Sequence, residues 1–395
     1  MIAHLLRPWS ACVALIALAS LGCDGDPDEL VDPCEGLASG HACTWLGSRD
    51  GEGYNGDNHR LETLVFQPQD LLFLPDGTAW FSDFNNFLVR RVHPDGMIES
   101  MVGSTNPVFP GDGPLGGIPP GGGAGSEWLL NHPTNLVLQP DGDVLVVAWH
   151  NHKLLTIDPD TGYVTVVCGG GAGFAGDGEV ASASSTLFKQ LNDATYDDDG
   201  NLYLVDQQNE RIRKIDAAGV ITTIAGDGTE AYAGDGGPAI DAQFSWARGS
   251  NPNPSGGILH HEGKLYVSDT EVDRIRVLDL ETGMIDAFAG TGVGGDSGDG
   301  GPAIAAQLNA PRDLEIGPDG DLYFADTDNG KIRAIDLDTG VIRTVVGTGE
   351  LGIEAEEGML ATQIMLRRPF GLSFDPEGNL YVLDSLNSRI VKVAK

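Results

Sequence analysis

One short phrase returns six times along the chain, and this periodicity constrains the fold more than any other feature. The clearest copy reads NLYLVD from Asn201 to Asp206 and continues as RIRKID from Arg211 to Asp216. The other copies begin near Ala79, Val144, Lys264, Asp321 and Asn379. A fixed period indicates one supersecondary unit that is copied and stacked, because each copy can bury its apolar face only against its neighbours.

Each repeat contains four short β-rich runs. In the third copy they span 192–197, 202–205, 211–215 and 220–225, and Asp-Gly, Gln-Gln-Asn and Ala-Gly turn signals separate them. Such runs predict an antiparallel four-stranded meander. Six meanders predict an all-β, six-bladed β-propeller. A βαβ protein is excluded, because no helical pattern of sufficient length lies between the strands.

The two ends of the chain predict how the ring closes. The last repeat stops after its third strand, near Ala394. An isolated strand, ACTWLG at 42–47, stands near the start and is followed by YNGD at 54–57. This pair copies the fourth strand and loop of the third repeat. The N-terminal strand is therefore predicted to complete the sixth blade, which leaves no open edge between the first and last sheets.

The loop after the fourth strand is also repeated, as GDGGPA at 234–239 and 298–303. Proline after two glycines suits the first position of a helix. Apolar residues at helical spacing then predict about two turns of helix between Pro302 and Leu308.

These residues resemble a known family. The pattern P-x-x-L-x-x-x-P-D-G-x-L-Y-x-x-D-x-x-N-x-[KR]-I-R stands at 311–333, and with small changes at 369–391. It resembles the NHL repeat, and the GDGGPA insertion resembles its bacterial and teneurin-like variety. The resemblance implies a six-bladed propeller that binds proteins, nucleic acids or small ligands. A few relatives are enzymes, namely calcium-dependent lactonases of the gluconolactonase type and a zinc lyase that acts on amidated peptides.

The first residues predict export. Residues 1–22 are predicted to form a signal peptide, 23–41 an acidic tether and 42–395 the propeller. The apolar run at 11–19 is too short for a transmembrane helix. Gly22-Cys23 resembles a bacterial lipobox, although Ser20 departs from its usual leucine. We therefore expect a cell-envelope lipoprotein in the outer membrane or periplasm, anchored through Cys23, or alternatively a secreted protein.

The cysteines predict a disulfide, and the net charge limits the classes of binding partner. In an exported protein Cys34 and Cys43 are expected to form a disulfide, with Cys168 as a buried free thiol. The net charge of −35 disfavours nucleic acid, which needs a basic footprint. The charge is compatible with cation binding, a high-salt habitat or solubility alone. We expect a monomer that binds a protein or a small molecule and meets a membrane only through its lipid anchor.

Aspartate recurs after the second strand of five repeats, at Asp83, Asp206, Asp269, Asp326 and Asp384. A structural role is expected, because a carboxylate entering a tight turn accepts backbone N–H bonds. The second repeat has Ala148 there, followed by Trp149, His150 and His152. This departure indicates either a ligand contact or sequence drift. Two histidines could join a metal site, but no third ligand is identifiable.

A second polar set begins the innermost strands. Asp70, Asn135 and Asp313 stand two places after the inner-strand proline, Asp193 is equivalent, and Gly371 takes this place in the sixth copy. The fourth-to-first and second-to-third connections of a meander share one face. These residues and the Trp149–His152 turn should therefore share one mouth of the channel. Converging oxygen ligands suit Ca²⁺, and the alternative is that they cap strand starts and bind water.

No complete catalytic set can be assembled. Glu315 is the one inner-strand glutamate that could serve a lactonase, and we expect the inner strands to offer no histidine for a lyase. We therefore predict a non-catalytic binding or scaffold module that binds a protein or a small ligand at the mouth. Asp70, Asn135, Asp193 and Asp313 are its metal candidates, and Trp149, His150, His152 and Glu315 its ligand contacts. The alternative is a calcium-dependent lactonase or esterase.

Overall fold

The strands form six antiparallel sheets in a computed structural model that describes residues 30–48, 51–104, 122–246, 253–353 and 357–395. This is the six-bladed β-propeller that the six repeats predict. The predicted signal peptide at 1–22 and the lipidation residue Cys23 lie outside the described residues. Among the described residues, no helix is long and apolar enough to span a membrane.

Each blade is a meander whose strands follow chain order outward from the axis, and three sheets add a two-residue strand at the outer edge. The first strand of the chain is β1 (His41–Leu46). Blade 1 contains β2 (Pro68–Phe73), β3 (Ala79–Asp83), β4 (Leu88–Val92) and β5 (Ile98–Val102). Blade 2 contains β6 (Gly123–Ala124) at its edge, with β7 (Pro133–Leu138), β8 (Val144–Ala148), β9 (Lys153–Ile157) and β10 (Tyr163–Cys168). Blade 3 contains β11 (Leu191–Tyr196), β12 (Leu202–Asp206), β13 (Arg211–Ile215) and β14 (Ile221–Ala225).

The remaining blades repeat this order. Blade 4 contains β15 (Gly237–Pro238) at its edge, with β16 (Ile258–His261), β17 (Lys264–Asp269), β18 (Arg274–Asp279) and β19 (Met284–Ala289). The innermost strand of this blade is β16, so the expectation that the inner strands carry no histidine is wrong for His260 and His261. Blade 5 contains β20 (Pro311–Ile316), β21 (Leu322–Asp326), β22 (Lys331–Ile335) and β23 (Ile342–Val346). Blade 6 contains β24 (Met359–Leu360) at its edge, with β25 (Gly371–Phe374), β26 (Leu380–Asp384) and β27 (Arg389–Val393).

The six inner strands form a closed ring around the axis. Contacts run from β2 to β7, β11, β16, β20 and β25 in turn, and β25 contacts β2 again. Apolar clusters fill the space between adjacent blades; one of them joins Trp80 and Val89 of blade 1 to Val146 and Leu155 of blade 2. The core is therefore distributed between neighbouring sheets, which is why the repeats must be stacked.

The N-terminal strand closes the ring as predicted. β1 pairs antiparallel with β27 and occupies the fourth-strand position of blade 6, with Ala42 opposite Val393 and Thr44 opposite Val391. Cys34 and Cys43 form a disulfide with their Cα atoms 5.4 Å apart. The compact unit runs from Asp32 to Lys395. Residues 32–41, which the composition assigns to the tether, therefore belong to the packed domain.

The helix predicted between Pro302 and Leu308 is wrong. This segment contains a single 3-10 turn, Ala303–Ala305, flanked by extended backbone at Pro302 and Ala306. The backbone N–H of Ala303 donates to Gly340 of the next blade at 2.8 Å. The backbone groups of this segment therefore bond to other parts of the chain and are not available for the hydrogen bonds of a two-turn helix.

Four buried arginines join the Gly-Asp loops to the blades that follow them. Each lies on the third strand of its blade and is fully buried. One end of each guanidinium contacts the repeated aspartate of its own blade, and the other end contacts the aspartate of the preceding Gly-Asp loop. The own-blade distances are 3.2 Å for Arg90–Asp83, 3.1 Å for Arg213–Asp206, 3.4 Å for Arg276–Asp269 and 3.3 Å for Arg333–Asp326. The loop distances are 3.3 Å to Asp57, 2.8 Å to Asp177, 2.7 Å to Asp235 and 2.6 Å to Asp299.

Candidate ligand-binding site at the channel mouth

The repeated aspartates place two sets of loops on one face. Oδ1 of Asp83 accepts the backbone N–H of Phe66, at 2.8 Å, in the connection that enters the inner strand. The equivalent bonds run from Lys189 to Asp206, Ser245 to Asp269, Asn309 to Asp326 and Arg367 to Asp384. These bonds join the second-to-third turns to the fourth-to-first connections. The shared mouth and the structural role that the sequence predicts are both present in the fold.

The four metal candidates meet at one small axial cavity. Asp70, Asn135, Asp193 and Asp313 all line it, and its volume is about 30 Å³, room for about one water. The other lining residues are Gln69, Thr134, Asn192, Pro254, Gly257, Arg312 and Phe370. Trp149, His150, His152 and Glu315 do not line this cavity.

The three axial aspartates join alternate pairs of blades. In each, Oδ2 accepts a backbone N–H from the inner strand of the next blade. These bonds are Leu136 to Asp70 at 2.6 Å, Ile258 to Asp193 at 2.8 Å and Leu372 to Asp313 at 2.7 Å. In each, Oδ1 also accepts the N–H of the following residue at 2.8 Å. Both oxygens of every axial carboxylate therefore accept backbone N–H groups of the inner strands.

The intervening blades carry a different residue at this position. They have Asn135, Gly257 and Gly371, and the two glycines permit close backbone contact with the next blade. A Cβ at Gly371 would lie 2.2 Å from the carbonyl oxygen of Gln69, and one at Gly257 would lie 2.4 Å from that of Arg312. The missing carboxylate of blade 6 thus reflects packing at the axis.

Burial and mutual repulsion act on the axial carboxyls. Burial raises the pKa of Asp70 to about 6, and backbone N–H bonds lower it again in part. Burial raises the pKa of Asp193 to about 7, with the charge of Asp70 adding to the shift. The pKa of Asp313 is raised well above its usual range, first by burial and then by Asp70 and Asp193. At neutral pH Asp70 is therefore mostly ionised and Asp193 about half ionised.

These side chains fit amide donors better than a calcium ion. Calcium takes six to eight oxygen ligands, whereas each axial carboxylate here already accepts two N–H bonds. Within the described part of the chain, no three His, Cys, Asp or Glu side chains are placed to hold one metal ion. The Ca²⁺ site stays a prediction, and metal analysis of the purified protein would test it.

Glu315 gives a pH dependence that can be measured. Burial raises its pKa to about 8, and the charges of Asp70 and Asp193 add to the shift. Because the folded-state pKa is raised, the unfolded chain loses this proton at a lower pH than the folded chain does. The free energy of unfolding therefore falls as the pH rises from about 4.5 to about 8 and stays lower above pH 8. We expect Glu315→Gln to stabilise the protein by more than about 1 kcal/mol at pH 8 and by little at pH 4.5. Urea unfolding at both pH values would show this, and an equal effect at both would contradict it.

The second-blade turn packs its aromatic side chains against neighbouring blades. Trp149 is 3% exposed, and its Nε1 donates to Oε1 of Gln207 at 2.9 Å. The His150 ring stacks on Trp149 with centroids 3.9 Å apart. Nδ1 of His150 lies 2.9 Å from Nδ1 of His132, so one ring donates and the other accepts. These contacts give the turn a structural role, and ligand contact by Trp149 and His150 stays a prediction.

The same turn replaces the lost aspartate. Oδ1 of Asn151 accepts the backbone N–H of Asn131 at 2.7 Å, which is the bond that the repeated aspartate makes in other blades. Nδ1 of His152 accepts the N–H of Gln190 at 2.9 Å. Burial, followed by the charge of His150, lowers the pKa of His152 to about 4, so its ring is neutral. A ligand contact by His152 also stays a prediction.

Sequence reasoning missed the residues beside the axial ring. Five residues that line the cavity share one position in the repeat, directly before the axial Asp, Asn or Gly. They are Gln69, Thr134, Asn192, Arg312 and Phe370. This position varies from copy to copy while its neighbours repeat. Variation at one place in a conserved internal repeat was the available signal, because repeated positions maintain the fold and variable ones are free to contact a ligand.

Comparisons with known proteins agree with the fold. Residues 257–394 match the family model of the Teneurin NHL domain. Human Teneurin-1 is 26% identical over 379 residues, covering 86% of this chain and 12% of that protein. The SUPPRESSOR OF QUENCHING 1 protein of Arabidopsis thaliana is 25% identical over 298 residues, covering 75% of this chain and 27% of that protein. The chain thus spans about a quarter or less of these relatives.

Solved structures show the same architecture. The crystal structure of an auxiliary nutrient binding protein from Bacteroides ovatus superposes with a TM-score of 0.62 at 16% identity, covering 90% of this chain and 76% of that chain. At this identity the likeness concerns the fold. Together with the six repeats and the closed ring of sheets, these matches show a six-bladed β-propeller whose residues 257–394 are similar to the teneurin NHL domain.

Proposed function

We propose that the chain is an extracytoplasmic binding module that holds a small polar ligand at the channel mouth. The observation that carries the proposal is a group of buried polar atoms around the axial cavity that lack hydrogen-bond partners. They are Nε of Arg312 and the Oδ1 atoms of Asn135 and Asn192. An unpaired buried polar atom is costly, so its retention in a cavity that opens at a loop face favours a ligand.

Two further observations support this proposal. Proteins of the same fold include auxiliary nutrient binding proteins from Bacteroides species. The Cys34–Cys43 disulfide suits an oxidising compartment outside the cytoplasm. Anchoring through Cys23 would add a membrane attachment to this module. The alternative, a calcium-dependent lactonase, has less support because the axial carboxylates already accept amide donors.

A bulky side chain placed in the mouth should abolish binding. Asn192 lines the axial cavity, whereas Asp198 is exposed in the turn between β11 and β12 on the opposite face. We would screen sugars, amino acids and organic acids by thermal melting, then compare Asn192→Trp with Asp198→Trp. We expect compounds that raise the melting temperature of the parent and of Asp198→Trp but not of Asn192→Trp. Binding that survives Asn192→Trp, or a screen without any shift, would contradict the proposal.

A further inference from the structure

Arg312 is the most unusual side chain at the mouth. It follows Pro311 at the start of β20, lines the axial cavity and is 6% exposed. Its guanidinium carbon lies 4.4 Å from the centroid of the Phe370 ring. Stacking on an aromatic face holds the guanidinium plane in one orientation and leaves its N–H edge available for a planar partner.

No acceptor meets this guanidinium. In the described structure, Arg312 makes no side-chain hydrogen bond and no ion pair, and its Nε is buried without a partner. Arg90 and Arg213 also have an unpaired Nε, but each of the four third-strand arginines contacts two aspartates. A buried cation without a partner is destabilising, so the fold gains nothing from a charge here. Burial and the nearby Arg368 charge lower the pKa of Arg312 to about 10, although the charges of Asp328 and Glu271 raise it in part, so Arg312 is cationic at neutral pH.

The surrounding charges select among anions. Arg368 lies on the same Phe370 ring, at 5.7 Å, and its Nε contacts Oδ1 of Asp328 at 2.6 Å. Three axial aspartates also line the cavity. Their like charge disfavours a dianion such as phosphate, whereas a single carboxylate matches the planar N–H edge of an arginine with two parallel bonds.

We propose that Arg312 binds the carboxylate of a small organic acid whose adjacent hydroxyl or amino group donates to Asn135 or Asn192. The Oδ1 atoms of these asparagines lack donors and line the same cavity. Because the cavity has room for about one water, only the polar end of a hydroxy acid, an amino acid or a sugar acid would enter it, with the rest of the ligand outside. This inference rests on the proposed binding function and names the class of its ligand.

The test compares acids with neutral analogues of the same shape. Lactate, alanine and glucuronate, with lactamide, glucose and inorganic phosphate as comparisons, would be titrated calorimetrically into the parent protein, Arg312→Gln and Arg343→Gln. Arg343 is a half-buried arginine of β23 that pairs with Asp319 and Asp321, so its variant is the matched control. We expect at least one acid to bind the parent and Arg343→Gln, and Arg312→Gln to weaken it by at least about tenfold.

A second variant separates binding from folding. Arg312→Met should melt at or above the parent temperature, because it removes an unpaired buried charge, while it loses the acid. Equal acid binding by the parent and Arg312→Gln would overturn the inference, as would a preference for phosphate or failure of every acid to bind. A neutral compound that still binds the mouth and is lost in Asn192→Trp would leave the proposed function intact while overturning the carboxylate site.

Discussion

Replacing Arg213 with leucine should lower the free energy of unfolding by about 3–5 kcal/mol at pH 8. The guanidinium is fully buried between Asp206 at 3.1 Å and Asp177 at 2.8 Å. Its loss leaves the buried Asp206 carboxylate without a cation, and burial already raises the pKa of this group to about 6. Urea unfolding followed by tryptophan fluorescence would measure the change.

Blade 2 provides the design of the control. Blade 2 has Ala148 and Leu155 at the positions that Asp206 and Arg213 occupy in blade 3. The double variant Asp206→Ala/Arg213→Leu should therefore recover most of the stability lost in Arg213→Leu, because no buried charge remains unpaired. Asp296→Ala, which removes an exposed partner of Lys331, should cost about 1 kcal/mol or less. A cost below about 1 kcal/mol for Arg213→Leu would contradict the role assigned to the buried arginines.

Removing residues 1–47 should destroy cooperative folding. Ala42, Cys43 and Leu46 of β1 are at most 2% exposed, and β1 covers the outer side of β27. Loss of this burial costs on the order of 5 kcal/mol and exposes the edge of blade 6. Circular dichroism melting of the truncated chain should show a broad transition or aggregation. A sharp transition near the parent temperature would contradict closure by β1.

A circular permutant tests whether strand position or chain order matters. The N–H of Gly40 donates to the carbonyl of Ala394 at 2.8 Å, so the start of β1 lies beside the end of β27. Moving residues 30–48 behind Lys395 through a flexible linker, with the new start at Arg49, should restore a cooperative melt. Failure of the permutant alongside failure of the truncated chain would mean that the N-terminal segment does more than complete blade 6.

The fold was predictable because the same four-stranded pattern recurs in successive repeats. Six copies of one meander gave the blade number, and the missing strand after Ala394 gave the closure. The helix at Pro302 was wrong because a glycine-proline pair and apolar spacing describe a local preference, whereas the N–H of Ala303 bonds to Gly340 of another blade. Such a partner lies 37 residues away in the sequence, beyond any local pattern.

The convergence of the axial side chains was predictable from the repeats, but their hydrogen bonds were not. Asp70, Asp193 and Asp313 were expected to converge, and they do. Their carboxylates accept amide donors from adjacent strands, which depends on the distance between blades and cannot be inferred from residue type. Arg312 was missed because an arginine after a proline resembles any exposed charge until its burial and lack of a partner are known.

A crystal structure of the protein with the tightest-binding organic acid would locate the ligand directly. We expect electron density at the channel mouth, with the carboxylate on Arg312 and a hydroxyl or amine within hydrogen-bond distance of Asn135 or Asn192. Density elsewhere, for example in the groove of about 1060 Å³ beside Leu351 and Met365, with an unchanged mouth would contradict the binding site proposed here.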